Sequence, residues 1–192
     1  MHGTGRERIL RVLLSQPNGE LSKYRISKLS ECSIGWTMEF LKNLEKKKLI
    51  KKTRVLNVKR TFDYWASIAY ASKHFDFFIS DPETFLKGVN LEYVLTTYTA
   101  ENLLHHYLFP SRTDIYIRPK DFEKWKTAIV RNKGLVGKGN LRVLVNDEHV
   151  FYRKNNVRGL WVASIPQVLL DLRREGGVAF EAYEMMVKRY VH

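Results

Sequence analysis

Apolar residues recur at helical spacing along the first 50 positions of this 192-residue chain. The first such run predicts a helix over 6–15, because residues three and four apart share one face of an α-helix. The residues at this spacing are Ile9, Leu10, Leu13 and Leu14. The turn-forming segment QPNGE at 16–20 ends this helix. Ser22 is a suitable N-cap for a short second helix over 23–29.

A third helical segment begins after Ser33, which is placed to cap it, and has two unlike sides. One side of its helical wheel carries Ile34, Met38, Leu41 and Leu44. The opposite half carries Trp36, Asn43 and Lys46. An outward tryptophan requires an explanation, and two are open. Trp36 either contacts DNA or covers the seam against the second helix or the segment that follows.

The pattern changes from helical to alternating after residue 50. The segments KKTRVLN and KRTFDYW flank a turn at 57–59 and are predicted to form a two-stranded hairpin. A helix over 63–75 is expected to follow. Three helices and a hairpin, with a short turn between the second and third helices, are typical of a winged helix-turn-helix DNA-binding domain. We assign this domain to 1–65. In many such domains a glycine precedes the final Leu-Ile pair, where this chain has Lys48.

Strands and helices alternate in the rest of the chain, which predicts a mixed α/β domain over 90–192 after a connecting helical segment over 66–89. Strands are predicted at 93–96, 113–118 and 140–146, with a further pair around 150–152 and 160–163. Helices are predicted at 99–107, 120–132, 165–174 and 178–191. The predicted fold class is therefore α+β, a winged helix-turn-helix followed by a mixed α/β domain.

Positive charge is concentrated at the N-terminal end of the chain, whose formal net charge is +13. Residues 1–65 hold 15 lysines and arginines against 6 aspartates and glutamates, whereas 66–192 hold 18 against 14. A basic excess of this kind favours a polyanionic partner. Because it coincides with the predicted winged domain, we expect that partner to be double-stranded DNA.

The geometry of a winged domain then assigns roles to residues of the third helix and the hairpin. Five residues are expected to reach base edges: Ser33, Gly35, Trp36, Glu39 and Asn43. Asn43 can pair bidentately with adenine, and Trp36 can contact a thymine methyl group. Seven basic residues are better suited to phosphates, which position a protein without specifying sequence. They are Lys42, Lys46, Lys51, Lys52, Arg54, Lys59 and Arg60.

Three segments of the second domain, YVLTTYTAENLLHHYLFPSRTDIYI, GLVGKGNLRVLV and VASIPQVLLDLRREGGVAFEAYEMM, resemble the C-terminal domain of AbiEi-like antitoxins of type IV abortive-infection toxin–antitoxin systems. The resemblance covers most of 90–192, and the winged domain before it matches the layout of that family. It implies a DNA-binding repressor that regulates its own operon. It also implies a nucleotidyltransferase-type toxin as a partner, and a homodimer on an inverted repeat fits the DNA-binding mode.

An enzymatic alternative starts from the same segment, since a strand, a turn of small residues, a helix and RTDIYI are similar to the start of a nucleotidyltransferase domain. There, two carboxylates one residue apart hold magnesium. Here the turn is Thr96-Thr97 and the acidic pair is reduced to Asp114 with Tyr116. One carboxylate cannot organise two metal ions, so we predict a catalytically silent domain, with no catalytic residue, cofactor or metal, and not an enzyme.

The remaining composition excludes several classes of protein. No apolar run is long enough to cross a membrane, and MHGTGRERIL lacks the apolar segment of a signal peptide. The single cysteine, Cys32, cannot form an internal disulfide or a cysteine-based zinc site. We therefore expect a cytoplasmic protein.

Overall fold

The computed structural model describes residues 2–190, with side chains from residue 4 onward. The chain forms two compact units, one of Met1–Tyr70 with Val187–His192 and one of Ala71–Met186. Both units contain helices and strands, so the α+β class is confirmed. No helix in the described part of the chain is both long and apolar enough to cross a membrane.

The N-terminal unit contains four helices and a short two-stranded hairpin. Its elements are α1 (His2–Ser15), α2 (Lys23–Leu29), α3 (Ile34–Lys46), β1 (Ile50–Lys51), β2 (Arg54–Val55) and α4 (Val58–Ile68). The three predicted helices are confirmed, and α2 begins and ends where its caps indicate. Ser22 accepts a hydrogen bond from the Arg25 amide at 3.1 Å, as an N-cap does.

The core of this unit forms between α1 and the helices packed on it. The fully buried side chains include Ile9, Leu10, Leu13, Leu14, Ile26, Leu41, Leu44, Phe62 and Trp65. Burial of this much apolar surface is the main favourable term in the stability of a small unit. Glu7 is also buried and accepts hydrogen bonds from the Trp65 indole and the Tyr70 amide, which ties α1 to the end of α4.

The hairpin and the helix after it differ from the prediction. The strands pair across a turn at Lys52 and Thr53, not at 57–59, and the predicted second strand is the first half of α4. The reason lies in the buried residues Val58, Thr61, Phe62 and Trp65, whose spacing is helical. The helix expected over 63–75 therefore ends at Ile68, and a strand begins at Lys73.

The second unit is built on one seven-stranded sheet with the order β6-β3-β7-β5-β4-β9-β8. Its strands are β3 (Lys73–Phe78), β4 (Val94–Thr96), β5 (Thr113–Ile117), β6 (Leu135–Val136), β7 (Leu141–Val145), β8 (Asn155–Val157) and β9 (Leu160–Val162). Its helices are α5 (Pro82–Gly88), α6 (Thr97–His105), α7 (Phe122–Arg131), α8 (Ile165–Glu175) and α9 (Gly177–Tyr190), the last of which continues into the N-terminal unit.

Most predicted elements of this unit are confirmed, β6 is an unpredicted strand, and two segments differ from the prediction. The segment 66–89 is not a helical connection, because it supplies β3, an inner strand between β6 and β7. Residues 148–151 form a 3₁₀ helix, and the partner of β9 is β8. Val191, the predicted end of the last helix, lies outside the described residues. Neighbouring strands include parallel pairs, β5 with β7 and β4 with β9, so the sheet is mixed.

Candidate nucleic-acid interface

The start of α3 is defined by its own sequence. Ser33 accepts a hydrogen bond from the Trp36 amide at 3.3 Å, and the Thr37 hydroxyl donates to the Ser33 carbonyl at 2.9 Å. The first of these bonds satisfies an amide that the start of a helix otherwise leaves without a partner. The Ser33 side chain, a predicted base contact, is thus engaged as an N-cap in this structure.

The buried side of α3 is not the predicted apolar stripe. Thr37, Phe40, Leu41 and Leu44 are buried, whereas Ile34 and Met38 are 41% and 50% exposed. The side chains at 37, 41 and 44 follow one face of the helix, and Phe40 widens it. Ile34 and Met38 are therefore turned outward, which the analysis of the sequence missed.

The exposed side of α3 brings most of the predicted contacts together. It carries Ile34, Gly35, Met38, Glu39, Lys42, Asn43 and Lys46. Asn43 and Glu39 present an amide and a carboxylate, which can pair with adenine and with the amino group of cytosine. Gly35 has open space around it, since an added Cβ would meet nothing within 4 Å. The exposed Met38 offers an apolar surface beside these polar groups.

Trp36 lies at the seam between α3 and α1. The Arg6 guanidinium is 5.9 Å from the centre of its ring. A Cβ added at Gly5 would come within 3.0 Å of the indole Nε1 and 3.3 Å of the Cys32 sulfur. These contacts favour a covered seam for this tryptophan, and they place it against α1.

The end of α3 leads directly into the hairpin through a sharp turn. Lys48 adopts a left-handed conformation with φ of 56°, and its amide donates to the Glu45 carbonyl at 2.9 Å. Lys52 at the hairpin turn is also left-handed, with φ of 58°. The Lys52 amide donates to the Glu45 carboxylate at 2.7 Å, so the hairpin turn is held against α3.

The two strands of the hairpin place cations opposite one another. Lys51 pairs in register with Arg54, and both side chains are exposed. Like charges directly opposite on an antiparallel pair are destabilising. A bound polyanion would relieve that repulsion, which gives the arrangement a functional reason.

The hairpin is fixed to the turn after α1. The Val55 amide donates to the Pro17 carbonyl at 2.8 Å, and the Thr53 hydroxyl donates to the Gly19 carbonyl at 3.3 Å. Gly19 has φ of 83°, and an added Cβ would lie 2.9 Å from the Arg54 Cβ. Only glycine fits this close approach without strain. The segment QPNG therefore supports the basic hairpin as well as ending a helix.

Lys59 and Arg60 lie in the first turn of α4 and not in a strand of the hairpin. Asn57 caps this helix by accepting a hydrogen bond from the Arg60 amide at 2.9 Å. Both basic side chains are exposed. They lie at the surface next to β2, although the element that carries them differs from the predicted one.

Few of the predicted phosphate contacts are neutralised within the protein. In the described part of the chain, six of them have no ion-pair partner: Lys42, Lys46, Lys51, Lys52, Arg54 and Arg60. Carboxylates of the same unit are engaged elsewhere, since Glu31 pairs with Arg8 at 2.6 Å and Glu7 is buried. The surface around α3 and the hairpin is therefore strongly positive, as a phosphate-binding surface requires.

A second polar cluster lies in the sheet unit, at the residues of the enzymatic alternative. Asp114 is buried and receives two hydrogen bonds from Arg112, at 2.6 and 2.9 Å, and one from the Thr97 hydroxyl. The hydrogen bonds that Arg112 donates to Asp114 and to Glu175 raise the pKa of Arg112 above its usual range. Thr97 itself is left-handed, with φ of 46°. Asp114, the single carboxylate at the position where a nucleotidyltransferase would hold magnesium, is thus already paired with the Arg112 guanidinium.

A second buried carboxylate, Asp171, lies in the same cleft, whose volume is about 220 Å³. It accepts hydrogen bonds from Thr96 at 2.5 Å, Tyr116 at 2.9 Å and Gln167 at 3.0 Å. Burial raises its pKa from 3.8 to about 6, and the hydrogen bonds oppose that rise. Asp171 comes from α8, far along the chain, and no local pattern in the sequence connects it with this cleft.

The position beside Asp114 on the neighbouring strand is occupied by a cation. Arg142 on β7 is the register partner of Asp114 on β5, and it pairs with Asp76 at 2.9 Å. Among the described residues, no group of three or more histidine, cysteine, aspartate or glutamate side chains is arranged to hold a metal ion. In the cleft, Arg112 and Arg142 each pair with a carboxylate, whereas Asp171 is held by neutral donors.

Comparison of the chain with protein-family models, with curated protein sequences and with solved structures gives no match. The resemblance to AbiEi-like antitoxins therefore stays a prediction from the residues.

Proposed function

We propose that this chain is a sequence-specific DNA-binding transcriptional regulator whose N-terminal unit is a winged helix-turn-helix. In this mechanism α3 lies in the major groove, with Asn43 and Glu39 at base edges and Met38 against a thymine methyl group. The hairpin and the first turn of α4 lie on the adjacent backbone. The proposal rests on the exposed face of α3 beside a hairpin in which Lys51 and Arg54 face each other and, among the residues that the structure describes, have no carboxylate partner.

Asn43→Ala tests the assignment of base contacts. A duplex is first selected from a random pool by the full-length protein, and affinities for this duplex and a scrambled one are then measured by fluorescence anisotropy. Loss of a bidentate base contact is expected to cost about 1–3 kcal/mol on the selected duplex and to relax one base position. Asn90→Ala, at an exposed asparagine of the sheet unit, is the matched control. Equal losses on both duplexes would contradict a base contact by Asn43, and failure to select any duplex would contradict the proposed function.

The biological setting of the proposal rests on the resemblance to AbiEi-like antitoxins. It adds autorepression in the cytoplasm by a homodimer bound to an inverted repeat, with a nucleotidyltransferase-type toxin as a further partner of the sheet unit. DNA upstream of the chain's own coding sequence is the first duplex to test. Sedimentation of the protein with and without this duplex measures the number of copies bound. Binding of a single copy to a site without internal symmetry would remove the homodimer from the proposal.

The alternative function is a nucleotidyltransferase-related enzyme, favoured by the polar cleft that holds Asp114 and Asp171. Two observations weigh against it: Arg112 neutralises Asp114, and the neighbouring strand supplies Arg142 instead of an acid. We propose that the cleft is catalytically silent. Incubation with labelled nucleotide and Mg²⁺ tests this directly, and incorporation that is lost in Asp114→Ala would overturn it.

A further inference from the structure

A groove of about 570 Å³ lies beside the hairpin in the N-terminal unit. It is lined by residues from the turn after α1, from 54–59, and from the last turn of α9. The distant part of the chain that reaches it supplies Val187, Lys188 and Tyr190. Residues 187–190 therefore lie beside basic residues that we assign to phosphate binding.

Basic side chains dominate the charged groups of the groove. Arg54, Lys59 and Lys188 line it, and none of the described residues that line it carries a carboxylate. Arg54 and Lys59 belong to the phosphate contacts predicted from the sequence, whereas Lys188 is more than a hundred residues away. The groove thus extends a positive surface that begins at the hairpin, and its charge matches a phosphate-bearing partner.

The last turn of α9 is anchored, so the position of Lys188 is defined. Val187 is only 3% exposed, and the Tyr190 hydroxyl donates a hydrogen bond to the Leu14 carbonyl at the end of α1. Both anchors belong to the same compact unit as the hairpin. Lys188 lies between them in sequence, and its side chain is exposed. A lysine fixed in this way loses less conformational freedom on binding than one on a free tail.

We propose that Lys188 binds a backbone phosphate of the same DNA duplex that α3 contacts, so that the end of α9 extends the interface. This inference rests on the proposed function. Duplex DNA is the favoured occupant over a free phosphate-bearing ligand because the groove is continuous with Arg54 and Lys59 and is not enclosed by the protein. Each phosphate neutralised by a lysine releases condensed counterions, so the contact has a measurable salt dependence.

The experiment compares Lys188→Ala with Arg189→Ala in the full-length protein. Arg189 is the adjacent exposed cation and does not line the groove, so its loss changes net charge equally. Affinity for the selected duplex is measured from 0.05 to 0.2 M salt. Lys188→Ala is expected to lower the slope of log affinity against log salt by about 0.9, so that wild type loses about 3.5-fold more affinity than the variant over this range. Arg189→Ala and Lys188→Arg are expected to keep the wild-type slope.

The possible failures are distinguishable. An unchanged slope in Lys188→Ala, together with a reduced slope in Arg60→Ala, would overturn the inference and leave the proposed function standing. Absence of any duplex binding by the wild-type protein would overturn both. Calorimetry with inorganic pyrophosphate tests a free anion as the occupant. Saturable binding that Lys188→Ala abolishes, with no change in the salt slope for DNA, would assign the groove to a small ligand and overturn the inference.

Discussion

The facing cations of the hairpin connect stability to DNA binding in a way that one substitution can test. Lys51 and Arg54 are register partners on an antiparallel pair, where directly opposite Cβ atoms are about 5 Å apart. With about 6 Å between the charged groups, Coulomb repulsion in water is about 0.7 kcal/mol. Screening lowers this to about 0.6 kcal/mol at 0.01 M salt and about 0.3 kcal/mol at 0.15 M. We therefore expect Lys51→Gln to stabilise the folded protein by these amounts.

The same substitution is expected to weaken DNA binding, since it removes a phosphate contact. The slope of log affinity against log salt should fall by about 0.9 in Lys51→Gln. Stability is measured by urea denaturation at the two salt concentrations, and affinity by fluorescence anisotropy on the selected duplex. A gain in stability that shrinks with salt, combined with a loss of affinity, is the signature of a charge retained for binding.

Lys73→Gln is the matched control for stability. Lys73 is also an exposed strand lysine, but its register partner is Val145, so no like charge faces it. Its substitution is expected to leave the salt dependence of unfolding unchanged. Equal effects of the two substitutions on stability would refute repulsion within the hairpin. An unchanged salt slope for DNA in Lys51→Gln would remove the hairpin from the interface.

Three further predictions follow from the described geometry. Gly35→Ala is expected to stabilise α3 by about 0.5–1 kcal/mol in denaturation, and to weaken specific DNA affinity by placing a methyl group on the exposed face; undiminished affinity would remove Gly35 from the interface. Lys48→Gly is expected to stabilise the protein by about 1 kcal/mol because φ is 56° there, whereas Lys42→Gly in the interior of α3 should destabilise it by about as much. A loss of stability in Lys48→Gly would show that the left-handed turn is not strained. Because burial raises the pKa of Asp171 to about 6, its contribution to stability is greatest below about pH 4 and is lost as pH rises through 6, by on the order of 3 kcal/mol. The unfolding free energy of Asp171→Asn, measured by denaturation from pH 4 to 7, should lack this part of the pH dependence. A pH profile identical to that of the wild type would contradict the raised pKa of Asp171.

Elements with local signals were predicted closely from the sequence. The positions of α2 and the start of α3 follow from Ser22 and Ser33, whose side chains cap the helix within three residues. Such bonds depend on neighbouring residues alone, so no knowledge of the tertiary structure is needed to expect them. The exposed side of α3 was predicted in part, since Asn43 and Glu39 are outward but Ile34 and Met38 were placed on the buried side.

The error at α4 has a physical explanation that was present in the sequence. The prediction rests on an alternating pattern over 59–65, where Thr61, Phe62 and Tyr64 also have side chains that favour strands. The buried set in the structure has helical spacing, and Asn57 supplies the cap. Tertiary burial of a helical face therefore prevailed over strand propensity.

Other parts of the candidate sites depend on contacts between distant residues. Lys188 reaches the hairpin groove because the last turn of α9 packs on α1, and Asp171 reaches Thr96 across 75 positions of the chain. Nothing local distinguishes either residue from an ordinary charge on a helix. Their roles become visible only when the fold has brought the elements together.

The two groups of charged residues in this protein differ in what binding an anion would cost. Around the cleft of the sheet unit, Arg112 and Arg142 already bind carboxylates of the protein, so an incoming anion would have to replace an ion pair. Around α3 and the hairpin, Lys42, Lys51 and Arg54 have no carboxylate partner in the described chain. An anion that binds to them therefore comes from another molecule. Binding there releases counterions and breaks no internal pair. A polyanion is therefore expected to bind the N-terminal unit in preference to the cleft.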